Sequence, residues 1–413
     1  VWRSAGKSDN FHVTLMRLPY DNAEDFKPFN SEGAWRATII DGGDDFITLR
    51  STVEGSGSDN VQQTGVKSIE GAGEHPIDFW IDFKGTIPEG ATPRCAIVRV
   101  RYHNYTCEHD IFVRQGYAPI TINGNAESNN NPAWTSYNVY RFDANNAPVY
   151  TKSPLEEGSL FRRGNRTAIL ASNNDRSGFT FGVEPTGSFN VLEFGSATTS
   201  QKTWSQLAPS TDDVTNRFKE WSIAGDHERI ATIEDFYTLE STSIHSNINK
   251  AYGVLYGDGA TETQKSVKEA FGYDHNEDPT NSKKGMRGCF VFNVNNSRNI
   301  FFPIGKSGYG RRKGMTSNGE KVGTLRYAQR TDYYNNDGTG NIQYVPLFYD
   351  LFERSGAIYQ CRNRLESTNN EVKNSSAFDI NYFTMGFEGF ENGASNNNNG
   401  SDSDACFIRT VKY

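Results

Sequence analysis

Alternation is strongest between Ala96 and Gln115, and it constrains the fold more than any other feature. In Ala96-Ile97-Val98-Arg99-Val100-Arg101-Tyr102, residues Ala96, Val98, Val100 and Tyr102 share one face while Arg99 and Arg101 take the other. That period of two marks a strand with one wet side. The run Asp110-Ile111-Phe112-Val113-Arg114-Gln115 follows after a short polar turn, so the two form a hairpin. A turn at His103–Thr106 pairs Tyr102 with Cys107 and leaves Cys95 several residues out of register, so no Cys95–Cys107 disulfide is expected.

Further strands are predicted over Trp35–Ile40, Asp45–Ser51 and Ile77–Lys84, separated by turns at Gly55–Asn60 and Gly71–Glu74. Short strands with frequent turn signals predict an all-β, immunoglobulin-like sandwich over residues 1–120. A length of 413 residues exceeds what one core usually serves, so more than one domain is expected. The Asn/Gly/Ser-rich stretch from Asn123 to Pro132 reads as the boundary, with the second domain over 125–413. Helices are predicted there. Asp213–Ala224 carries Val214, Phe218 and Trp221 on one face, Thr261–Phe271 opens with a capping-box pattern at Thr261 and Gln264, and Thr232–Leu239 starts three residues before Asp235. With short strands and long loops between them, this half reads as α+β.

The chain contains 20 Tyr, 27 Phe and 6 Trp, which supply large side chains for its cores although only 35% of residues are hydrophobic. A net charge of −8 argues against a nucleic-acid partner. No apolar run reaches the length of a membrane-spanning helix. The chain opens Val1-Trp2-Arg3-Ser4, without an initiator Met or signal peptide, and reads as a mature or trimmed form. A lipid anchor upstream of Val1 is compatible with that reading. The five cysteines, Cys95, Cys107, Cys289, Cys361 and Cys406, exclude a small disulfide scaffold.

Few motifs carry chemistry. Gly305-Lys306-Ser307-Gly308 lacks the first glycine of a phosphate loop, because Ile300 stands in its place. His103, Cys107 and His109, with Cys95 upstream, are zinc-ligand types, but their spacing matches no zinc motif, and no metal is expected. Asp274, Asn276 and Asp278 alternate as calcium ligands do, yet Pro279 occupies the position that needs Gly. Glu388 and Glu391 are only nominal partners for acid–base chemistry, so neither a catalytic set nor a cofactor is expected. The basic run of Lys306, Arg311, Arg312 and Lys313, with Tyr309 inside it, could meet an anionic glycan or carboxylate. Tyr327, Tyr333, Tyr334 and Asp337 follow in a long loop. These residues either stack and bond a ligand or hold the loop on its own domain. The candidate ligand-binding set is Tyr309, Arg311, Arg312, Tyr327, Tyr333, Tyr334 and Asp337.

The second half resembles a known family. Trp134-Thr135-Ser136-Tyr137-Asn138-Val139 and the segment Ser153-Pro154-Leu155-Glu156-Glu157-Gly158-Ser159-Leu160-Phe161-Arg162-Arg163-Gly164 look like the opening of the Fibrobacter major paralogous domain. Arg229–Phe236, Phe301–Gly305 with Gly310-Arg311, and Ala405–Lys412 resemble its later landmarks in the same order. The resemblance covers roughly residues 125–413 and implies a C-type-lectin-like α+β domain with long ligand-presenting loops. The calcium–sugar motifs of true C-type lectins are absent, as are the signatures of the related formylglycine-generating enzymes, so neither activity carries over. The first half is similar to the Bacteroidetes-associated carbohydrate-binding often N-terminal (BACON) family, an immunoglobulin-like module. That likeness rests on Gly33-Ala34-Trp35, Arg94–Val98 and Val113-Arg114-Gln115-Gly116.

Together these resemblances imply a non-enzymatic Bacteroidetes adhesin, secreted or held at the cell surface in a fimbria, that binds a glycan or a surface protein through its C-terminal domain. Two alternatives stand beside it. One is a pilus subunit joined to other subunits by strand exchange near Phe11–Leu18. The other is a glycan-degrading or formylglycine-generating-type enzyme.

Overall fold

The structure, a computed structural model, describes residues 1–17, 27–41, 45–51, 63–162, 165–170, 187–203, 205–207, 222–225, 227–239, 247–260, 285–303, 357–362, 377–380, 385–387 and 405–413. These residues are nearly all-β, in several sheets. The chain forms two compact units, Val1–Asn125 with Ser243–Phe301, and Ala126–Thr242 with Phe302–Tyr413. Where the sequence indicates one boundary at residues 120–125, the chain therefore changes unit at Asn125/Ala126, Thr242/Ser243 and Phe301/Phe302.

The first unit opens with β1 (Trp2–Arg3), β2 (Phe11–Thr14), β3 (Met16–Arg17), β4 (Lys27–Pro28), β5 (Trp35–Asp41), β6 (Ile47–Ser51), β7 (Ser68–Gly71), β8 (Asp78–Phe83), β9 (Arg94–Tyr102) and β10 (Cys107–Gln115). One sheet has the order β1-β10-β9-β5-β7, a second β2-β8-β6, and β3 pairs with β4. In β8 the alternation is complete, since Phe79, Ile81 and Phe83 are buried while Asp78, Trp80 and Asp82 are only half-buried. The indole of Trp35 stacks on Phe79 at 6.3 Å, joining the two sheets as a sandwich. Each large apolar side chain enclosed there contributes about 1.5–3 kcal/mol. On the outer face of the smaller sheet, Trp80 lies between the His12 ring, stacked at 4.5 Å, and the Arg50 guanidinium at 5.0 Å.

The β9–β10 hairpin has the expected register, with Tyr102 opposite Cys107 and Arg114 opposite Cys95. Cys95 and Cys107 are not joined by a disulfide. The turn is costly, because His103, Asn104 and Tyr105 have φ of 50°, 53° and 67°, a left-handed region that costs about 1–2 kcal/mol per non-glycine residue. Neighbouring groups hold it in place. The amide of His103 donates to Ser31 Oγ at 2.8 Å, Glu32 N donates to His103 Nδ1 at 2.8 Å, and Ala34 N donates to Asn104 Oδ1 at 3.1 Å. Gly33 must be glycine here, since a Cβ would fall 2.2 Å from Asn104 Oδ1.

The second unit contains β11 (Ala133–Phe142), β12 (Pro148–Tyr150), β13 (Ser159–Arg162), β14 (Ala168–Leu170), β15 (Ser188–Leu192), β16 (Thr199–Thr203), β17 (Glu228–Ile230) and a helix α1 (Ile233–Tyr237). The chain then returns to the first unit in β18 (Ile248–Leu255), β19 (Met286–Asn293) and β20 (Asn299–Pro303), a sheet in that order, and β20 leads back to the second. The last strands are β21 (Ala357–Gln360), β22 (Ala377–Ile380), β23 (Met385–Phe387), β24 (Ala405–Cys406) and β25 (Arg409–Lys412).

Aromatic burial explains the return of Ser243–Phe301 to the first unit. Phe290 meets Phe112 at 5.1 Å and Phe301 at 4.8 Å, and Trp2 Nε1 donates to Asn299 Oδ1 at 2.8 Å. Arg3, fully enclosed, donates to the carbonyls of Asp9, Trp2, Gly257 and Ala260.

In the second unit, the sheets β12-β11-β25-β17 and β16-β15-β14-β13-β24 enclose Val139, Phe142, Phe161, Ala168, Leu170, Leu192, Ile230 and Ile408. β21-β22-β23 form a third sheet. The helix expected at Thr232 is present as α1, with Thr232 as N-cap and a reciprocal capping box to Asp235. The helix expected over Thr261–Phe271 lies outside the described residues, as does 213–221 of the one expected over Asp213–Ala224, whose Ser222–Ala224 are non-helical. An α+β character for this half is therefore not seen: among the described residues its regular elements are one short α-helix, a three-residue 3-10 helix at Ser205–Leu207 and otherwise strands.

Candidate functional site

None of Tyr309, Arg311, Arg312, Tyr327, Tyr333, Tyr334 and Asp337 falls among the described residues. Gly305–Gly308, the Asp274–Asp278 loop, Glu388 and Glu391 also lie outside them. What is described is the ground from which residues 304–356 depart and to which they return. β20 ends just before that segment and β21 begins just after it, and the rings of Phe302 and Tyr359 meet edge to face at 5.2 Å. The strands that flank the segment therefore share one aromatic core.

Arg409 organises that core. Although an arginine on a short terminal strand ordinarily points to water, its side chain is fully enclosed. Nε donates to Asn138 Oδ1 at 2.8 Å and Nη1 to the Thr135 carbonyl at 2.8 Å. Its guanidinium lies 4.7 Å from the centre of the Phe302 ring and 5.9 Å from that of Tyr359. Asn138 completes the network by donating from Nδ2 to the Glu157 carbonyl at 2.7 Å and to the Tyr359 hydroxyl at 3.1 Å. Burial pushes the Tyr359 phenol above its ordinary range, outweighing the pull of the neighbouring Arg409 charge in the opposite direction.

The same core receives pieces from five distant stretches of sequence, around Trp134, Phe236, Phe302, Tyr359 and Arg409. Trp134 stands 5.0 Å from Phe236 and 6.0 Å from Phe302. Phe236 is aimed inward by α1, and α1 is anchored by Asp235, whose carboxylate takes two bonds from Arg229, at 3.0 and 2.7 Å, and one from its own N-cap amide. Gly158, at φ +87°, lets the chain pass Asn138, where a Cβ would sit 2.8 Å from the Asn138 Cβ.

Arg409 and Asn138 spend polar groups on one another, on carbonyls and on Tyr359. Among the described residues, no group of three or more His, Cys, Asp or Glu could hold a metal ion. Cys95 is buried while Cys107 is exposed, and His103 Nδ1 is taken by the Glu32 amide, so the zinc-type residues of the first unit do not converge. Sequence reasoning singled out Trp134, Phe302 and Arg409 through motifs but missed Tyr359, whose only signal is a four-residue strand among polar neighbours. No protein-family model matches the chain, and no curated protein matches it either.

Proposed function

We propose that this chain is a non-enzymatic adhesion protein of a bacterial surface, fimbrial tip-like or lipoprotein-like, which binds a glycan or protein ligand through the segment 304–356 of its second unit. The observation that carries this reading is the meeting of the two strands that flank that segment, through Phe302 and Tyr359, beside Arg409. A long segment rich in Tyr, Arg and Asp between two strands of one core suits ligand presentation. The order of the family-like stretches around Trp134, Arg229–Phe236, Phe302 and Arg409 supports a lectin-like second domain. Their meeting in one core adds to that support.

Strand exchange near Phe11–Leu18 is disfavoured by the pairing of β2 with β8 and by the burial of Phe11 and Val13. A glycan array on the wild type and on Tyr327→Ala and Tyr333→Ala tests the proposal. The wild-type hits are expected to weaken about tenfold, the usual cost of truncating an aromatic anchor. If several glycans bind and none responds to either change, the assignment of the segment is wrong.

A further inference from the structure

The outer face of the β1-β10-β9-β5-β7 sheet carries an ordered row of charges that nothing above uses. Register places Glu70 of β7 opposite Arg36 of β5, Arg36 opposite Arg101 of β9, and Arg101 opposite Glu108 of β10. The order across four strands is thus Glu-Arg-Arg-Glu, with the two like charges side by side in the middle. Like charges directly opposite each other destabilise a sheet, whereas an alternating order would relieve them. Each arginine is tied outward: Arg36 Nη2 pairs with Glu70, and Arg101 Nε donates to Glu108 at 3.0 Å. Among the described residues, Nε and Nη1 of Arg36 and both Nη atoms of Arg101 have no acceptor.

A second observation marks the same place. The strained run His103-Asn104-Tyr105 sets the Tyr105 ring, 44% exposed, 5.5 Å from the Arg36 guanidinium. One face of the ring meets Arg36, and the side chain remains among the most exposed large ones of the described residues. Arg36 and Arg101 are themselves about half exposed, at 49% and 53%, so a ligand can reach them. Exposed pairs of this kind contribute little to stability, and the carboxylates yield readily to a competing anion.

We propose that this row is a second ligand site, for an acidic saccharide. A carboxylate or sulfate ester sits between Arg36 and Arg101 and takes their unspent donors, while the apolar face of the sugar ring lies on Tyr105. Glu70 and Glu108 accept hydroxyl groups at either end. Because they also repel further negative charge, the site favours isolated acidic residues over densely charged polymers. The site uses no residue of the segment 304–356.

Calorimetric titration of the full chain at low salt tests this. The probes are a hyaluronan tetrasaccharide for the carboxylate and sulfated lactose for the sulfate, with chitotetraose and lactose as neutral counterparts. The wild type is expected to bind at least one acidic probe, more weakly as salt rises, and neither neutral one. Arg36→Gln and Arg101→Gln, exposed changes that leave the urea midpoint in place, are each expected to weaken that binding about tenfold. Tyr327→Ala leaves it unchanged, which separates this site from the one on the long segment. The proposal is overturned if neither acidic probe binds, if the neutral sugars bind equally well, or if both arginine variants bind the acidic probe as tightly as the wild type.

Discussion

Arg409→Ala is expected to destabilise the second unit by about 3–5 kcal/mol, read as a fall in the urea midpoint. The loss has two parts. The Thr135 carbonyl and Asn138 Oδ1 would remain enclosed without their donor, at about 1–3 kcal/mol each, and a cavity would open between the rings of Phe302 and Tyr359. Part is recovered, because burial already disfavours the guanidinium charge and depresses the Arg409 pKa. Arg409→Met, which fills the volume without the charge, is therefore expected to fall between wild type and Arg409→Ala. An unchanged midpoint in Arg409→Ala would mean that the aromatic core does not need its arginine.

Arg3 is the counterpart in the first unit, and Arg3→Ala is expected to cost a similar amount, about 3–5 kcal/mol. Its fork gathers carbonyls from two remote stretches, Trp2 and Asp9 on one side, Gly257 and Ala260 on the other, and pairs with Asp9 Oδ2 at 3.0 Å. Rings of Phe11 and Phe83 lie within 5.7 and 5.5 Å. Removing the guanidinium takes a donor from each of these carbonyls, of which Gly257 keeps the Ala260 amide, and loosens residues 257–260 from Ser4, whose amide and hydroxyl bond Asp258. Arg3→Lys tests the geometry of the fork. A single ammonium cannot serve acceptors on two sides, so most of the loss is expected to persist despite the retained charge. Urea titration of the three proteins decides, and equal midpoints for wild type and Arg3→Lys would reduce the contact to charge alone.

These two arginines also show where sequence reading stops. Strands with one wet side were legible, because alternation needs only local chemistry: Val98 and Val100 are buried and Arg101 is exposed as the pattern requires. The register of Tyr102 with Cys107 followed from turn length, and the capping box at Thr232 and Asp235 from spacing. Arginine side chains are ordinarily exposed, yet Arg3, Arg114 and Arg409 are each enclosed, because backbone carbonyls and aromatic rings distant in sequence supply what water would. Nothing local distinguishes such an arginine from an exposed one. The placement of Ser243–Phe301 was illegible for a related reason: Phe290 and Phe301 could fill any aromatic core, and their meeting with Phe112 and Trp2 is decided only by the assembled unit. The candidate ligand residues were chosen by composition, and their segment lies outside what the structure describes.

The central claim is that the second unit is a base and the segment 304–356 its binding part. Replacing that segment by a short Gly/Ser bridge between Pro303 and Ala357 separates the two roles. If the claim holds, the shortened protein keeps its urea midpoint, because Trp134, Phe236, Phe302, Tyr359 and Arg409 remain, and loses the array ligands whose binding responded to Tyr327→Ala and Tyr333→Ala. Retention of those ligands at wild-type strength by a folded, shortened chain would contradict it.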